Sequence, residues 1–555
     1  MSEPYSPESQ SLFIAGPGGE ANPQFFLNAE ARGPTQPNGK DSLTIAEAAS
    51  QIIRGEPGWS AALGQGFTVT YGFRSTAPGT MPDDTSGFTR FNTAQINQTE
   101  LALAGWSDAA NIRFVRVGAG STGEGAYTNE ATILLANYSS GSEGASAFGF
   151  YPGRTDHSAS SGDVWINSSI GYNQNPLVGN YGGMVLVHEL GHAIGLGHPS
   201  EYDAEEGVTL TYSGEADYYE DSRQYTVMSY FSESNTGGNF GGAYSAAPLL
   251  DDIAAVQLEY GVNTATRTGD TIYGFNATAD RPWFQIGSAS TKAVFAVWDA
   301  GGTDTLDFSG YGQNQTIDLR AGHFSSVGGL SGNVAVAAKV TIENAVGGGG
   351  GDTIVGNDAA NALWGRGGND SLLGGAGSDF LRGEDGDDQL VGGAAFDDMH
   401  GNQGDDILYG GDGGDWVVGG QGSDRLYGEA DGDIVYGNLG HDSVYGDAGA
   451  DWVRGGQGDD NVFGGAGDDL VWGDRGSDTL SGGAGADIFA TFAGAGPDRV
   501  TDFSYAEGDR VRVEGGSPYA TSQVGADTVV DLGNGDQMVL VGVNLASLPG
   551  GWVLT

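Results

Sequence analysis

The sequence contains no cysteine, so neither disulfides nor thiolate metal sites can contribute to its structure or chemistry. Basic residues are scarce: 22 Lys and Arg stand against 72 Asp and Glu, for a net charge of −50. Nucleic acids and anionic membranes call for basic patches, so we expect neither as a partner. No stretch reaches about 18 uninterrupted apolar residues, which excludes a transmembrane helix. The first ten residues, MSEPYSPESQ, also lack the basic and apolar regions of a secretory signal peptide.

Histidine is scarce as well, with seven in 555 residues, yet three of them fall within the stretch HELGHAIGLGH. On a helix, His188 and His192 lie one turn apart on the same face, so both imidazoles can reach one metal ion. Zn²⁺ prefers nitrogen ligands, and a catalytic zinc keeps one position open for water. Glu189 is close enough to take a proton from that water without binding the metal. Gly195 allows the left-handed turn that ends the helix and returns His198 as the third ligand.

The five-residue HExxH core alone could arise by chance on a helix that bears histidines. Gly195 and His198 stand at the metzincin spacing, which argues for a single catalytic zinc ion. The later segment TVMSYF contains Met228, and a metzincin needs a methionine-containing turn beneath its zinc. A buried core turn is the alternative interpretation of that segment.

Residues 1–40 are rich in Pro, Gly, Asn and Ser and show no periodicity, so they predict an N-terminal arm or propeptide. Helix and strand patterns alternate over residues 41–262, which predicts an α+β protease-like domain with a mixed sheet. Helices are expected at 44–54, after a cap at Asn92, at 184–194 and at 248–260. Strands are expected at 67–73, 112–117, 131–137, 145–150 and 163–167.

A β-rich connection is predicted for residues 263–346, and residues 347–490 then divide into sixteen nine-residue units that each begin with Gly. The sixth position is Asp in fifteen units, with Asn361 the exception, and the eighth position is apolar throughout. Gly-rich turns present carbonyl and carboxylate oxygens, which Ca²⁺ selects, and short strands bury one apolar side chain each. This pattern predicts a parallel β-roll whose calcium-binding aspartates are Asp352, Asp370, Asp379, Asp388, Asp397, Asp406, Asp415, Asp424, Asp433, Asp442, Asp451, Asp460, Asp469, Asp478 and Asp487.

The repeat segment holds 28 acids and 5 arginines, so we expect charge repulsion to prevent it from folding without cations. A disordered Gly/Asp-rich linker is the alternative, but the strict apolar phasing disfavours it. Residues 491–555 leave the repeat and become apolar again, with strands expected at 499–503, 509–513, 528–532 and 538–543. They predict a small C-terminal β cap on the roll.

Several segments together resemble the serralysin family of secreted zinc metalloproteases, which are metzincins with a calcium-binding RTX roll. They are HELGHAIGLGHP, TVMSYF, APLLDDIAAVQLEYG, RTGDTIYGF, VWDAGGTDTLDFSGY and VTIENAVGGGGGD. The resemblance implies zinc held by His188, His192 and His198, Glu189 as general base, and Met228 in the turn under the metal. It further implies that Tyr230 is an additional zinc ligand that swings away and stabilises the oxyanion.

The resemblance also implies a substrate-binding edge strand and calcium sites before the roll. The strand residues are Ala145, Ser146, Ala147 and Phe148, against which an extended substrate would lie as an added strand. The calcium positions carried over are Arg267, Gly269, Thr271, Asp299, Gly301, Gly302, Asp304, Thr341 and Glu343. Two departures are a roll longer than expected of the family and a shorter, less similar C-terminal segment.

The resulting hypothesis is a secreted bacterial endopeptidase that acts on extracellular proteins and peptides. The resemblance implies export by a type I secretion machinery that reads an uncleaved C-terminal signal within 491–555, and folding of the roll on extracellular calcium. A proteinaceous inhibitor is a further partner in such a system, and we expect a monomer. The alternative is a secreted calcium-binding surface or matrix protein whose protease domain is vestigial.

Overall fold

The computed structural model describes residues 26–55, 58–82, 85–118, 124–141, 145–153, 161–202 and 210–555. The chain divides into two compact units. The described part of the N-terminal unit lies within residues 26–305 and 320–342, and that of the roll unit comprises residues 306–319 and 343–555. Among the described residues, no helix is both long and apolar enough to cross a bilayer.

The N-terminal unit is an α+β structure, as predicted. Its α-helices are α1 (Ile45–Ile52), α2 (Thr93–Ala109), α3 (Gly171–Gln174), α4 (Tyr181–Ala193), α5 (Tyr212–Glu215) and α6 (Leu250–Tyr260). Its strands are β1 (Phe67–Phe73), β2 (Ile112–Arg116), β3 (Ile133–Tyr138), β4 (Ala147–Gly149), β5 (Val164–Asn167), β6 (Ile272–Gly274), β7 (Phe295–Val297), β10 (Phe324–Ser325) and β11 (Val334–Val336). The helices and strands expected before residue 262 are confirmed, with small shifts at their ends.

The main sheet of this unit has the strand order β2–β1–β3–β5–β4. The pairs β1–β2, β1–β3 and β3–β5 are parallel, whereas β4 pairs with β5 in the antiparallel sense. The sheet is therefore mixed, as the sequence predicts, and β4 forms one of its edges. Strand β3 is buried along its whole length, which places the middle of the sheet in the core.

The helix ends follow from the capping residues in the sequence. The Thr44 side chain accepts a hydrogen bond from the backbone N–H of Glu47, and the Glu47 carboxylate accepts one from the N–H of Thr44. Asn92 and Gln95 form the same reciprocal pair at the start of α2. Such capping boxes satisfy backbone donors that a helix N-terminus otherwise leaves open.

Part of the segment predicted as an arm packs into the N-terminal unit. Residues 1–25 lie outside the described residues, but Phe26 is buried and the guanidinium of Arg32 makes paired hydrogen bonds of 2.8 and 2.9 Å to the Asp251 carboxylate. The N–H of Leu27 donates to the hydroxyl of Tyr225 at 2.7 Å. A buried charge pair of this geometry ties the segment firmly to α6. The propeptide assignment and the domain boundaries remain predictions.

The roll unit is built almost entirely from short strands. They are β8 (Thr305–Asp307), β9 (Thr316–Asp318), β12 (Asn344–Val346), β13 (Thr353–Val355), β14 (Ala362–Gly367), β15 (Ser371–Gly375), β16 (Phe380–Asp385), β17 (Gln389–Ala394), β18 (Asp398–Gln403), β19 (Ile407–Asp412), β20 (Trp416–Gln421), β21 (Arg425–Ala430), β22 (Ile434–Leu439), β23 (Ser443–Ala448), β24 (Trp452–Gln457), β25 (Asn461–Ala466), β26 (Leu470–Arg475), β27 (Thr479–Ala484), β28 (Ile488–Thr491), β29 (Pro497–Val500), β30 (Arg510–Val513), β31 (Ala520–Val524), β32 (Asp527–Gly533), β33 (Asp536–Leu540) and β34 (Val553–Leu554).

The repeats form the predicted parallel solenoid, because alternate strands stack into two sheets. One sheet runs through the even-numbered strands from β12 to β30 and ends at β34, and the other runs through the odd-numbered strands from β13 to β29 and continues to β33. Neighbours pair in parallel register, as in Leu390↔Leu408 and Leu408↔Leu426. The apolar eighth position of each unit is fully buried. The two sheets thus enclose a thin core, to which each repeat contributes one apolar side chain.

Aromatic residues at one outer position of the roll also stack. The rings of Tyr409, Tyr427, Tyr445 and Phe463 follow one another with centroid separations of 4.8–4.9 Å and interplanar angles of 5–7°. This separation equals the spacing of neighbouring strands, about 4.8 Å. The ladder therefore supports the same register that the buried apolar row specifies.

The C-terminal cap predicted for residues 491–555 is present. Strands β31, β32 and β33 form an antiparallel meander, and β33 joins the roll by pairing in parallel with β29. The expected strands correspond to β29, β30, β32 and β33 with shifted ends. Strand β31 and its hairpin with β32 were not predicted.

Candidate metal centre and calcium-binding roll

Helix α4 carries the motif HELGH and sits in the core of the N-terminal unit. The Asn180 side chain caps it by accepting a hydrogen bond from the N–H of Gly183 at 2.8 Å. The helix ends at Ala193, and Gly195 has a φ of +98°, a conformation that favours glycine. The chain then turns back, so that His198 returns toward the helix.

The three histidine rings converge at one point. The Nε2 atom of His192 lies 3.1 Å from that of His188 and 3.2 Å from that of His198. Each Nδ1 atom faces a backbone carbonyl: that of Val227 at 2.8 Å, Leu196 at 2.7 Å and Tyr202 at 3.0 Å. A carbonyl can only accept, so each Nδ1 carries the proton and each Nε2 presents a lone pair.

Three lone pairs this close repel one another unless a cation lies among them. The sequence offers no thiolate, and imidazole nitrogen is a ligand that zinc prefers. Burial lowers the pKa of His188 to about 4 and that of His198 to about 3, so both rings are neutral at physiological pH. Zinc binds only the neutral imidazole. The donor set therefore fits one zinc ion.

The turn that contains Met228 positions the first histidine ligand. The Asp252 carboxylate accepts hydrogen bonds from the Thr226 hydroxyl at 2.5 Å and from the N–H of Val227 at 2.8 Å. Val227 in turn offers its carbonyl to Nδ1 of His188. Burial of the carboxyl raises the pKa of Asp252 to about 7. Such supporting hydrogen bonds fix the orientation of a metal-binding ring.

Met228 itself is fully buried under α4. A Cβ placed on Gly191 would lie 2.5 Å from the Met228 sulfur, so any larger residue at position 191 would displace the Met228 side chain. Met228 therefore packs against the helix that carries His188 and His192, and its role in a turn beneath a zinc ion remains a prediction. This close packing also favours glycine at position 191 of the motif.

A second acidic residue supports the third ligand. Asp221 accepts hydrogen bonds from the hydroxyls of Ser200, Ser229 and Tyr202 at 2.6, 2.6 and 3.0 Å. Tyr202 stacks on the His198 ring at 5.2 Å and holds its Nδ1 by the backbone carbonyl. Sequence reasoning missed Asp221, Tyr202 and this role of Asp252. No spacing rule marks them, because they come together only in the folded unit.

Glu189 is buried on the same helix as the two histidines. Burial raises the pKa of its carboxyl to about 8 when no cation is present. A nearby cation favours the charged form of a carboxyl and so opposes this shift. The structure thus shows a buried carboxyl on the helix that carries His188 and His192, and its role as general base remains a prediction.

Tyr230 lies beside the histidines and is 38% exposed. Its ring centroid is 4.5 Å from that of His198 and 5.6 Å from that of His188. The ring is therefore in contact with the candidate metal centre while one side faces solvent. Its role as a ligand and oxyanion donor remains a prediction.

The predicted substrate strand runs along α4. A Cβ on Gly149 would approach the Glu189 carbonyl oxygen to 2.6 Å, so β4 passes directly against the helix. Ala145 and Ser146 precede β4, and their carbonyls accept hydrogen bonds from Asn167 at 3.0 and 2.9 Å. Ala147 and Phe148 belong to β4 and are half-buried. One edge of β4 faces β5, and the other lies at the margin of the sheet.

Two loops that resemblance assigned to calcium lie together in the N-terminal unit. The N–H of Thr271 donates to the Asp304 carboxylate at 2.8 Å, and a Cβ on Gly302 would come within 2.7 Å of the Gly269 carbonyl oxygen. Gly302 also has a φ of +147°. Both this backbone conformation and the close approach of Gly269 therefore favour glycine at this position. Four predicted residues from distant parts of the sequence are thereby brought to one place.

The remaining residues of this group are close by. The Asp299 carboxylate accepts hydrogen bonds from the N–H of Gly301 at 2.8 Å and the hydroxyl of Tyr273 at 2.5 Å. Arg267 adopts a φ of +48° and donates to the Trp298 carbonyl at 2.7 Å. The left-handed backbone turns the Arg267 peptide in a way that ordinary residues rarely adopt.

Thr341 and Glu343 were also predicted to bind calcium. Thr341 is exposed, and Glu343 is half-buried with its carbonyl accepting the side-chain amide of Asn361 at 2.9 Å. The assignment of both residues to calcium remains a prediction.

In the roll, the repeat aspartates share one geometry. From Asp370 onward, the Oδ1 atom of each accepts the backbone N–H of the residue 18 positions earlier, as Asp388 does from Asp370 at 2.8 Å. In fourteen of them the Oδ2 atom is buried and has no hydrogen-bond donor among the described residues. Those residues are Asp370, Asp379, Asp388, Asp397, Asp406, Asp415, Asp424, Asp433, Asp442, Asp451, Asp460, Asp469, Asp478 and Asp487.

A buried carboxylate oxygen without a donor is costly unless a cation or a proton compensates it. Burial accordingly raises the pKa of Asp397 to about 8 and that of Asp415 to about 6. Oxygen ligands in this arrangement are those that Ca²⁺ selects. The fourteen carboxylates therefore fit two rows of calcium ions, one along each sheet.

The first member of each row differs. Both carboxylate oxygens of Asp352 accept hydrogen bonds, from the N–H groups of Gln315 at 2.8 Å and Gly348 at 2.6 Å. Asn361 donates its side-chain amide to the Glu343 carbonyl, 18 residues earlier, at 2.9 Å, and its Oδ1 atom accepts the N–H of Asn357 at 2.7 Å. Asp352 thus lacks the feature that supports the other predicted calcium ligands.

Two aspartates that sequence reasoning missed continue the rows. The N–H of Asp478 points to Oδ1 of Asp498 at 3.4 Å, and that of Asp487 points to Oδ1 of Asp509 at 3.2 Å. Asp498 stands in the segment AGAGPDRVT, which matches the nonapeptide pattern once two extra residues are allowed before it. A strict step of nine residues hides this unit.

The fold and the site together are of the metzincin type: a three-histidine centre on an α+β unit, above a methionine turn and followed by a parallel β-roll. A family model described as Peptidase M10 serralysin C terminal matches residues 262–515. Serralysin C of Dickeya chrysanthemi is 46% identical over 320 residues, which cover 57% of this chain and 65% of that protein.

Two further relatives match over more of their length. Metallopeptidase AprA of Pseudomonas marginalis is 46% identical over 59% of this chain and 68% of its own length. Serralysin G of Dickeya chrysanthemi is 43% identical over 64% of this chain and 73% of its own length. The matches thus span about two thirds of these relatives. The chain belongs to the serralysin family.

Proposed function

We propose that the chain is a zinc-dependent endopeptidase that hydrolyses peptide bonds in extracellular proteins. The observation that carries this proposal is the convergence of the three histidine Nε2 atoms next to the helix that carries Glu189. The curated relatives support it, because they are named serralysin or metallopeptidase. His188, His192 and His198 would hold one zinc ion. Zinc held there supplies a Lewis acid for the attacking water and the scissile carbonyl.

The side chains around the ion divide the proton chemistry. Glu189 takes a proton from the attacking water and later delivers it to the leaving nitrogen of the cleaved peptide bond. The Tyr230 hydroxyl donates a hydrogen bond to the oxyanion that forms when the carbonyl is attacked. Asp252 and Asp221 keep two of the histidine rings in place throughout the cycle.

The free margin of β4 would hold the substrate. An extended peptide that pairs with this strand adds one more strand to the sheet, and backbone hydrogen bonds bind it independently of its sequence. Since β4 passes against α4, such a peptide runs past Glu189 and the histidines. We infer that main-chain contacts supply most of the affinity for protein and peptide substrates.

The same proposal includes export and calcium-dependent folding. The roll aspartates would bind several calcium ions outside the cell, and the chain would leave by a type I secretion machinery. The high negative charge supports this order of events, because the repeats repel one another until calcium is available. A proteinaceous inhibitor and a monomeric state are further parts of the proposal.

Selective removal of zinc tests the proposed activity. We expect a zinc chelator, applied with calcium in excess, to abolish hydrolysis of casein, and added zinc to restore it. The folded roll serves as the control and is followed by hydrogen exchange of its strand amides, which should not change. Proteolysis that continues at full rate after metal analysis shows zinc to be gone would contradict the proposal, and a zinc-loaded chain that does not hydrolyse casein would favour a calcium-binding surface protein.

Tyr230→Phe tests the oxyanion role. We expect kcat to fall by about 10²–10³-fold because one oxyanion donor is lost, while KM and bound zinc change little. The ring contacts with His198 and His188 remain, so the variant should fold normally. Steady-state kinetics on a peptide substrate and metal analysis measure the two effects. An unchanged kcat would remove Tyr230 from the mechanism.

A further inference from the structure

The two rows of roll aspartates end differently, although they are built from the same repeat. The odd-strand row includes Asp352 at its start and Asp498 at its end, and the even-strand row runs from Asn361 to Asp509. At three of these four ends, protein groups satisfy the side chain. At the fourth end, Asp498, they do not.

The satisfied ends show how the protein closes a row without a cation. Asp352 receives backbone donors at both oxygens, and Asn361 donates its own amide to the Glu343 carbonyl. Asp509 accepts the N–H of Asp487 at Oδ1 and the N–H of Ser504 at Oδ2, the latter at 2.7 Å. Each of these side chains thus has protein hydrogen-bond partners and needs no metal ion.

Asp498 is built like an internal member of the row. Its side chain is 1% exposed, and its Oδ2 atom has no hydrogen-bond donor among the described residues. The Oδ2 atom of Asp478, one coil earlier, is in the same condition. Asp478 and Asp498 are therefore two buried carboxylates on successive coils whose Oδ2 atoms have no donor among the described residues. This arrangement is unfavourable unless a cation or a shared proton lies between them.

The backbone at Asp498 also keeps the geometry of the repeats. Gly496 has a φ of +106°, and a Cβ there would lie 2.0 Å from the Gly476 carbonyl oxygen, as at the equivalent glycines of earlier coils. The N–H of Arg499 donates to the Asp478 carbonyl at 2.8 Å, which repeats the pattern one coil below. The carbonyl-rich turn that precedes each calcium-binding aspartate is thus present here too.

We propose that Asp498, although outside the predicted repeats, is the last calcium ligand of the odd-strand row, and that the ion it shares with Asp478 fastens the C-terminal cap to the roll. Strand β29 contains Asp498 and pairs in parallel with β33 of the cap, with Asp498 opposite Met538. Calcium at this point joins the last coil to the strand that carries the meander β31–β33. The inference rests on the proposed calcium binding of the roll.

The test compares Asp498→Asn with Asp509→Asn in the full-length chain. We expect native mass spectrometry in calcium to count one ion fewer in Asp498→Asn than in wild type, and the wild-type number in Asp509→Asn. We also expect the amides of β29 and β33 to need at least about tenfold more calcium for protection from exchange in Asp498→Asn, since one ligand is lost. The amides of β19–β25 should keep their wild-type calcium midpoint.

Asp509→Asn is the matched control because it removes a carboxylate from the same position of the other row. It loses the hydrogen bond from Ser504 and should lower the stability of the cap equally at all calcium concentrations. A wild-type ion count in Asp498→Asn overturns the inference, as does an equal calcium shift in both variants. If the Asp498→Asn cap fails to fold, the ion count of its intact roll still decides. Wild-type protein that binds no calcium at all would instead refute calcium binding by the whole roll.

Discussion

Replacing Glu189 by Gln is expected to abolish nearly all proteolysis while zinc stays bound. The three histidines hold the ion without Glu189, so metal analysis should return one zinc per chain. The amide cannot take the proton from the attacking water, and loss of a positioned general base lowers the rate by about 10²–10⁴-fold. Casein hydrolysis at the wild-type rate by Glu189→Gln would reject the proposed mechanism.

The control for this variant must separate lost chemistry from lost structure. Gln and Glu have nearly the same volume, and the Glu189 side chain is buried, so the packing of α4 should not change. Thermal unfolding should therefore occur at or above the wild-type temperature, because the neutral amide avoids the desolvation of a buried carboxylate. A second control is His192→Ala, which should lose zinc as well as activity.

The local chemistry of the site could be predicted from the sequence because it lies in one helix and one turn. His188, Glu189 and His192 are placed by helical periodicity alone, and the glycine at 195 predicts where the chain turns back. The sequence places Asp252 only within the helix expected at 248–260, and no sequence pattern singles out Asp221. Both act through contacts between segments far apart in the sequence, which single-sequence patterns do not encode.

The roll shows the same limit in another form. The period, the strand positions, the buried apolar row and the candidate Asp ligands all follow from a repeat of nine residues. The repeat does not predict the hydrogen bonding of Asp352 and Asp498. Asp352 lies in a regular unit, yet both of its carboxylate oxygens accept hydrogen bonds. Asp498 lies outside the regular units, yet its buried Oδ2 atom has no donor among the described residues. What decides is the neighbouring coil, where Gln315 and Gly348 supply donors at one end. The sequence spacing says nothing of those donors.

Removal of calcium from the full-length chain is expected to unfold the roll. Fourteen buried Oδ2 atoms would be left without a partner, and the repeat segment carries 28 acids against 5 arginines. Each uncompensated buried charge costs several kcal/mol. Two or three such charges therefore cost about as much free energy as the whole folding stability of a domain. Hydrogen exchange should therefore show loss of protection in β13–β28 after a calcium chelator is added. Full protection without calcium would contradict the calcium assignment.

Acidification offers an independent test, because a proton can replace the cation at each carboxylate. Burial raises the pKa of Asp388 and Asp424 to about 7 in the folded chain, above the ordinary value of an aspartate. A group whose pKa is raised by folding binds more protons in the folded state, so stability without calcium falls as pH rises through that value. In chelator, we therefore expect the strand amides to regain protection at mildly acid pH and to lose it again near neutrality. With calcium present, we expect protection to fall as the pH is lowered, since protons then compete with the ion for the carboxylates.

Magnesium is the control ion, and it should not restore protection at neutral pH because it dehydrates reluctantly and demands a tighter octahedral shell.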